Sequence, residues 1–144
     1  MKKSQVAHNR KANFDIAVER TLEAGLVLTG DEIKSIRAER AQLTGGFIRF
    51  LGGRPYVIAM HLSLAKEPER SRPLLLKKGE LSELRQDLQQ KGRVAVPLDL
   101  YIKRGWAKLS IGVGTGRKRY DKRELLKKRD LERDARQAGA SLHR

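Results

Sequence analysis

Val94-Ala95-Val96-Pro97-Leu98-Asp99-Leu100-Tyr101-Ile102-Lys103-Arg104-Gly105-Trp106-Ala107-Lys108-Leu109-Ser110-Ile111-Gly112-Val113 is the stretch that decides the fold. Val94, Val96, Leu98, Leu100 and Ile102 alternate with other residues, and so do Ala107, Leu109, Ile111 and Val113. A period of two puts each apolar set on one face of a strand. Lys103-Arg104-Gly105 between them reads as a turn, so the segment is expected to be two antiparallel strands. Pro97 lacks an N–H and predicts an edge position or a bulge in the first of them.

The same pattern extends outward. Phe47-Ile48-Arg49-Phe50-Leu51 and Tyr56-Val57-Ile58-Ala59-Met60 flank Gly52-Gly53, whose glycines tolerate the positive φ of a tight hairpin turn. From Asn13 onward Phe14, Ile16, Val18 and Leu22 share one face of a further strand, opposite Asp15, Glu19, Thr21 and Glu23. Gly25 permits a bend before Leu26-Val27-Leu28, giving one long kinked strand or two short ones. Thr29-Gly30-Asp31-Glu32 fits a capping box and predicts a short helix through about Arg40, with Ile33 and Ile36 inward. Ala65 to Pro73 is polar, holds two prolines and reads as a mobile loop. Leu81, Leu84 and Leu88 predict a helix within 79–91, stopped by Gly92. Five or six strands with short helices make the chain mainly β, and a small closed barrel best removes exposed sheet edges. A partly open Greek-key barrel of the oligonucleotide-binding type over 14–115 is expected, between a basic N-terminal arm (1–13) and a basic C-terminal tail (116–144).

Charge narrows the partners. The 144 residues carry 32 Lys and Arg against 17 Asp and Glu, a net +15. The pI is about 10.6. Such a balance points to a polyanion, nucleic acid before anionic membrane. No apolar run approaches the roughly 20 residues that span a bilayer, and cysteine is absent. A cytoplasmic location fits. The tail has little apolar surface to bury, and the opposite-charge pairs Glu124–Lys128, Lys128–Glu132 and Glu132–Arg136 each add only about 0.2–0.5 kcal/mol to a helix. It is expected to be disordered alone and helical on a partner. Within it Arg117, Lys118, Arg119, Lys122 and Arg123 surround Tyr120, cations for phosphates about a ring for a base.

Residues for chemistry are sparse. His8, His61 and His143 lie far apart in sequence, and no serine stands in a nucleophile elbow, so neither a catalytic residue nor a metal or other cofactor is expected. Asp31, Glu32 and Asp99 are conceivable nuclease carboxylates, although a helix cap and a strand already account for them. Gly112-Val113-Gly114-Thr115-Gly116 lacks the spacing of a dinucleotide loop and reads as a flexible exit into the tail. Glu23 reads, on composition alone, as a solvated surface carboxylate.

Five blocks, in order, carry a resemblance: Asn9-Arg10-Lys11-Ala12; Glu23-Ala24-Gly25-Leu26-Val27-Leu28-Thr29-Gly30-Asp31-Glu32-Ile33-Lys34-Ser35-Ile36-Arg37; Arg72-Pro73-Leu74-Leu75-Leu76; Val96-Pro97-Leu98-Asp99-Leu100-Tyr101; and Gly116-Arg117-Lys118-Arg119-Tyr120-Asp121-Lys122-Arg123. The chain resembles the SsrA-binding protein family, also called small protein B, over nearly its whole length. That resemblance implies an oligonucleotide-binding barrel that grips the tRNA-like domain of transfer-messenger RNA in the rescue of stalled ribosomes. It places Asn9, Arg10, Lys11 and Glu23 at or near the RNA, with Lys34 and Arg37 as further candidates. It also implies that the tail enters the vacant mRNA channel of the small ribosomal subunit and folds there. Tyr120 would stack at the decoding centre, with Gly116, Arg117, Lys118, Asp121, Lys122 and Arg123 around it. Alanyl-tRNA synthetase and elongation factor Tu follow as indirect partners, and the chain would act as a monomer without catalysis. The distal tail, Arg136-Gln137-Ala138-Gly139-Ala140, departs from the family in lacking large apolar side chains. The alternatives are a constitutive basic ribosomal protein and a small barrel nuclease.

Overall fold

A computed structural model describes residues 4–116. The tail candidates beyond Gly116 therefore lie outside the described residues. Nine strands and three helices occur among those described: β1 Ser4–His8, α1 Ala12–Asp15, β2 Ile16–Leu26, α2 Gly30–Arg37, β3 Ala41–Gln42, β4 Phe47–Leu51, β5 Arg54–Ile58, β6 His61–Leu62, β7 Arg72–Leu75, α3 Lys78–Gln89, β8 Arg93–Lys103 and β9 Trp106–Gly116. Seven strands form one antiparallel sheet in the order β1-β8-β9-β2-β7-β5-β4, and β3 pairs with β6. The sheet curls until β4 packs on β8, which makes an oligonucleotide-binding-like barrel. Its interior is filled by Leu22 and Ala24 of β2, Leu100 of β8, and Leu109, Ile111 and Val113 of β9, all buried. Leu84 of α3, wholly buried, closes one end.

The long strands follow the alternation, with one systematic departure. In β9 the odd positions Leu109, Ile111 and Val113 all face the core, as expected. In β8 the register shifts between Pro97 and Asp99, so Leu98 is an extra residue. The bulge reverses the phase: Ala95 is in the core before it and Leu100 after it, whereas a single run of even positions was expected. Pro97 thus sits at a bulge in an interior strand, not at an edge. β2 is one continuous strand, bulged at Glu19 rather than broken at Gly25. Ile16, before that bulge, is buried outside the central cluster that holds Leu22 and Ala24.

Other expectations are corrected. Residues 4–8, within the basic arm of 1–13, form a strand that the alternation did not predict, and it pairs with β8. Phe14 belongs to α1, so β2 begins only at Ile16. Helix α2 ends at Arg37 rather than Arg40, and Ile33 is 40% exposed while Ile36 is buried. The glycine-rich end of β9 is a paired strand and not a hinge. A Cβ on Gly114 would come within 1.9 Å of the Ala17 carbonyl oxygen, so glycine here permits close strand approach rather than flexibility. The hairpin turn stands as read: Leu51 pairs with Arg54, and Gly52 and Gly53 take φ of 58° and 83°. So does the 79–91 helix, observed as α3.

The segment 65–73 is anchored, contrary to the mobile loop expected. Arg72, wholly buried, donates from Nε to Glu32 and from Nη1 to the Met60 carbonyl at 2.6 Å. Its Nη2 donates to the Glu67 and Pro68 carbonyls at 3.1 and 3.0 Å. Arg70 Nη2 reaches Glu32 Oε1 at 2.7 Å, and the Thr29 N–H closes the capping box on the same oxygen at 2.8 Å. Burial, the largest influence on Glu32, pushes its carboxyl up. The hydrogen bonds from Arg70, Thr29 and Arg72 outweigh that and hold it at about 2.

Candidate nucleic-acid interface

Register across the sheet builds the site. His8 pairs with Asp99, Asp99 with Ser110, and Ser110 with Glu23, so one row crosses β1, β8, β9 and β2. Residues opposite one another in an antiparallel ladder project to the same face. Because Leu100, Leu109, Leu22 and Ala24 take the inner face, the row lies on the outer one. Two-residue steps put Tyr101 and Lys103 of β8, and Lys108 and Trp106 of β9, on the same outer face.

These side chains converge on Glu23. The Tyr101 hydroxyl donates to Glu23 Oε2, and Lys103 Nζ lies 3.5 Å from the same oxygen. The Tyr101 hydrogen bond, then the Lys103 and Lys108 charges, keep the Glu23 carboxyl below its ordinary range despite partial burial. Tyr101 moves the other way: burial and then the Glu23 carboxylate push its phenol up. Glu23 remains 41% exposed at its side chain, so an ionised acceptor faces solvent within a rim of Lys103, Arg104 and Lys108. Trp106 in the same rim is 71% exposed. Beyond it runs an apolar groove of about 370 Å³ lined by Leu26, Val27, Ile33, Arg37, Leu75 and Trp106. Acceptor, cations and a bare indole on one face suit an unpaired base with its phosphates.

The candidates from the resemblance fall in different places. Glu23 is at the centre. Arg37 lines the adjoining groove from α2, and Lys34 is exposed on the same helix. Arg10 and Lys11 are exposed beside the β8 bulge. Asn9 is only 6% exposed: its N–H donates to the Leu98 carbonyl at 2.8 Å and its Nδ2 to the Pro97 carbonyl at 2.9 Å. It shapes the surface from beneath. Gly116 ends β9 at the far end of the barrel, where its N–H donates to the Gly92 carbonyl at 3.0 Å. Tyr101, Lys103, Arg104, Trp106 and Lys108 were missed. The polar residues alternating with the apolar set of β8 and β9 were their signal.

The conceivable nuclease carboxylates are engaged otherwise. Asp31 Oδ2 accepts the Lys66 N–H at 2.7 Å, a bond that with Thr29 holds its carboxyl at about 2. Glu32 is bound by two arginines, and Asp99 faces His8 at 2.7 Å and Gln5 at 3.0 Å. No group of three or more His, Asp or Glu poised for a metal occurs among the described residues. None of their helices is long and apolar enough to cross a membrane.

The family described as SmpB protein matches residues 6–141. The SsrA-binding protein of Lactobacillus gasseri is 46% identical over 136 residues, covering 90% of this chain and 90% of the relative. That of Streptococcus thermophilus is 42% identical over 146 residues, covering 96% and 95%. A solved structure reported as "tmRNA-SmpB: a journey to the center of the bacterial ribosome" superposes with a TM-score of 0.66 at 37% identity, covering 83% of this chain and 92% of the other.

Proposed function

This chain belongs to the SmpB protein family, and on that footing we propose that it is an RNA-binding adaptor in trans-translation, carrying transfer-messenger RNA to stalled ribosomes. The observation that carries the RNA-binding part is the outer sheet face, where ionised Glu23 sits among Lys103, Arg104 and Lys108 beside exposed Trp106. Glu23 accepts an amino or hydroxyl donor from an unpaired base or ribose, the cations meet phosphates, and the indole stacks. Arg10 and Lys11 extend the cationic surface, with Asn9 fixing the turn that presents them. Lys34 and Arg37 flank it from α2.

The tail does the second half of the work. Gly116, Arg117, Lys118, Tyr120, Asp121, Lys122 and Arg123 follow the empty mRNA channel to the decoding centre, where Tyr120 stacks on an exposed base. Family membership and the cation-and-ring composition of the tail support this assignment. Alanyl-tRNA synthetase charges the RNA, elongation factor Tu delivers it, and a single copy of this chain accompanies it in the cytoplasm. The chain itself makes and breaks no covalent bond.

Capture of the tagged full chain from a bacterial lysate, with sequencing of the bound RNA, tests the reading. Transfer-messenger RNA should dominate, and ribosome association should rise on stalling. Uniform occupancy of all ribosomes without that RNA would establish a constitutive ribosomal protein instead.

A further inference from the structure

Alternating charges run from β2 through the start of β8 to α3. Glu19 binds Arg93 Nη1, and Arg93 Nη2 reaches Asp87 Oδ1 at 3.3 Å. The other Asp87 oxygen binds Arg20, whose Nη1 donates to Glu83 at 2.6 Å. Arg93 and Asp87 are only 18% and 16% exposed at their side chains. An isolated surface pair is worth little, but linked and partly buried pairs hold one another's geometry.

Glu19 joins this network because β2 carries one residue too many. The register slips between Val18, opposite Gly114, and Arg20, opposite Val113, so Glu19 has no partner in β9. A bulge of this kind re-aims the extra side chain. Here it brings Glu19 to the end of β9. Glu19 Oε1 lies 3.4 Å from Thr115 Oγ1, and Arg93, which binds the other oxygen, faces Thr115 across the β8–β9 ladder. One residue on, the Gly116 N–H donates to the Gly92 carbonyl at 3.0 Å. Thr115 and Gly116 are themselves exposed, and the last wholly buried side chain of β9 is Val113. The strand end is therefore fastened by polar contacts and not by the core.

We infer that Glu19 is a positioning residue for the tail: through Arg93 and Thr115 it fixes the point at which the basic segment leaves the barrel. This rests on the adaptor reading above and adds the barrel residue that sets the reach of Tyr120. The effective concentration of a tethered group falls roughly as the −3/2 power of connector length. From Gly116 to Tyr120 is four residues, and from Val113 it is seven. Release of the strand end back to Val113 therefore lowers the local concentration of Tyr120 at its target about twofold.

The test uses the full chain. Glu19→Ala should speed exchange of the Gly116 amide about tenfold, as loss of local protection predicts, and leave the Ile111 amide unchanged. Tagging on stalled ribosomes, measured below saturation, should fall about twofold while affinity for transfer-messenger RNA is unchanged. Glu19→Gln, which removes the charge and keeps the shape, serves where the alanine variant unfolds. A disulfide supplies the rescue, since the chain has no cysteine of its own. Arg93→Cys and Thr115→Cys, added to the Glu19 variant, stand opposite one another in the ladder, at a spacing that a disulfide spans. Tagging should return to the unmodified level when this protein is oxidised and stay low when it is reduced. An unchanged Gly116 amide, parallel loss of tagging and RNA affinity, or no recovery on oxidation overturns the inference and leaves the adaptor reading intact. Absence of transfer-messenger RNA binding by the unmodified chain would instead refute the adaptor reading, and this inference with it.

Discussion

Arg72 and Glu32 form an ion pair from which solvent is almost wholly excluded, at 0% and 2% side-chain exposure. The pair ties β7 and the segment 65–73 to the first turn of α2, the helix that carries Lys34 and Arg37. Burying two charges is costly, and such a pair persists because further hydrogen bonds saturate both groups. Met60, Glu67 and Pro68 carbonyls do so for Arg72, Arg70 and the Thr29 N–H for Glu32.

Removing one partner should therefore be severe. Glu32→Gln leaves the Arg72 guanidinium buried without its counter-charge and should destabilise the chain by about 3–5 kcal/mol. Urea denaturation followed by circular dichroism measures this; a change below about 1 kcal/mol would show that the pair contributes little.

The same pair sets an acid limit. Glu32 is held at about 2 in the fold against an ordinary 4.5. Its stabilisation is complete above the unfolded value and is lost as pH falls from about 4.5 towards about 2. The stability gap between the unmodified chain and Glu32→Gln should narrow through that window. A gap that stays constant down to about pH 2 would contradict the assigned ionisation.

At the RNA face, Glu23→Gln should lower affinity for transfer-messenger RNA roughly tenfold, since an ionised acceptor becomes a neutral amide. Tyr101→Phe should have a smaller effect, about threefold, by releasing the carboxylate from its closest donor. Filter binding at fixed salt measures both, and equal affinity for Glu23→Gln would remove Glu23 from the interface.

Lys103→Ala and Lys108→Ala should each reduce the slope of log affinity against log salt by about one, the signature of a lost phosphate contact. An unchanged slope would restrict these lysines to holding Glu23 ionised.

Truncation after Gly116 should leave binding to transfer-messenger RNA nearly intact and abolish tagging on stalled ribosomes. Loss of most of the RNA affinity would refute the division of labour between barrel and tail.

Periodicity and composition alone determined the two glycine- and basic-turn hairpins, the α3 helix, the Thr29–Glu32 cap and the polyanion partner. These are local properties: a two-residue period, a turn with positive φ and a charge excess act on near neighbours in the chain. Only the tertiary structure decided the rest. The bulges at Glu19 and Leu98 reverse the phase of β2 and β8, and a side-chain period of two cannot reveal a slip of one. Glu32 reads as a cap until the chain brings Arg72 to it across 40 residues. Glu23, Tyr101, Lys103, Trp106 and Lys108 become one surface because antiparallel register aligns three strands, a long-range relation that no local pattern contains.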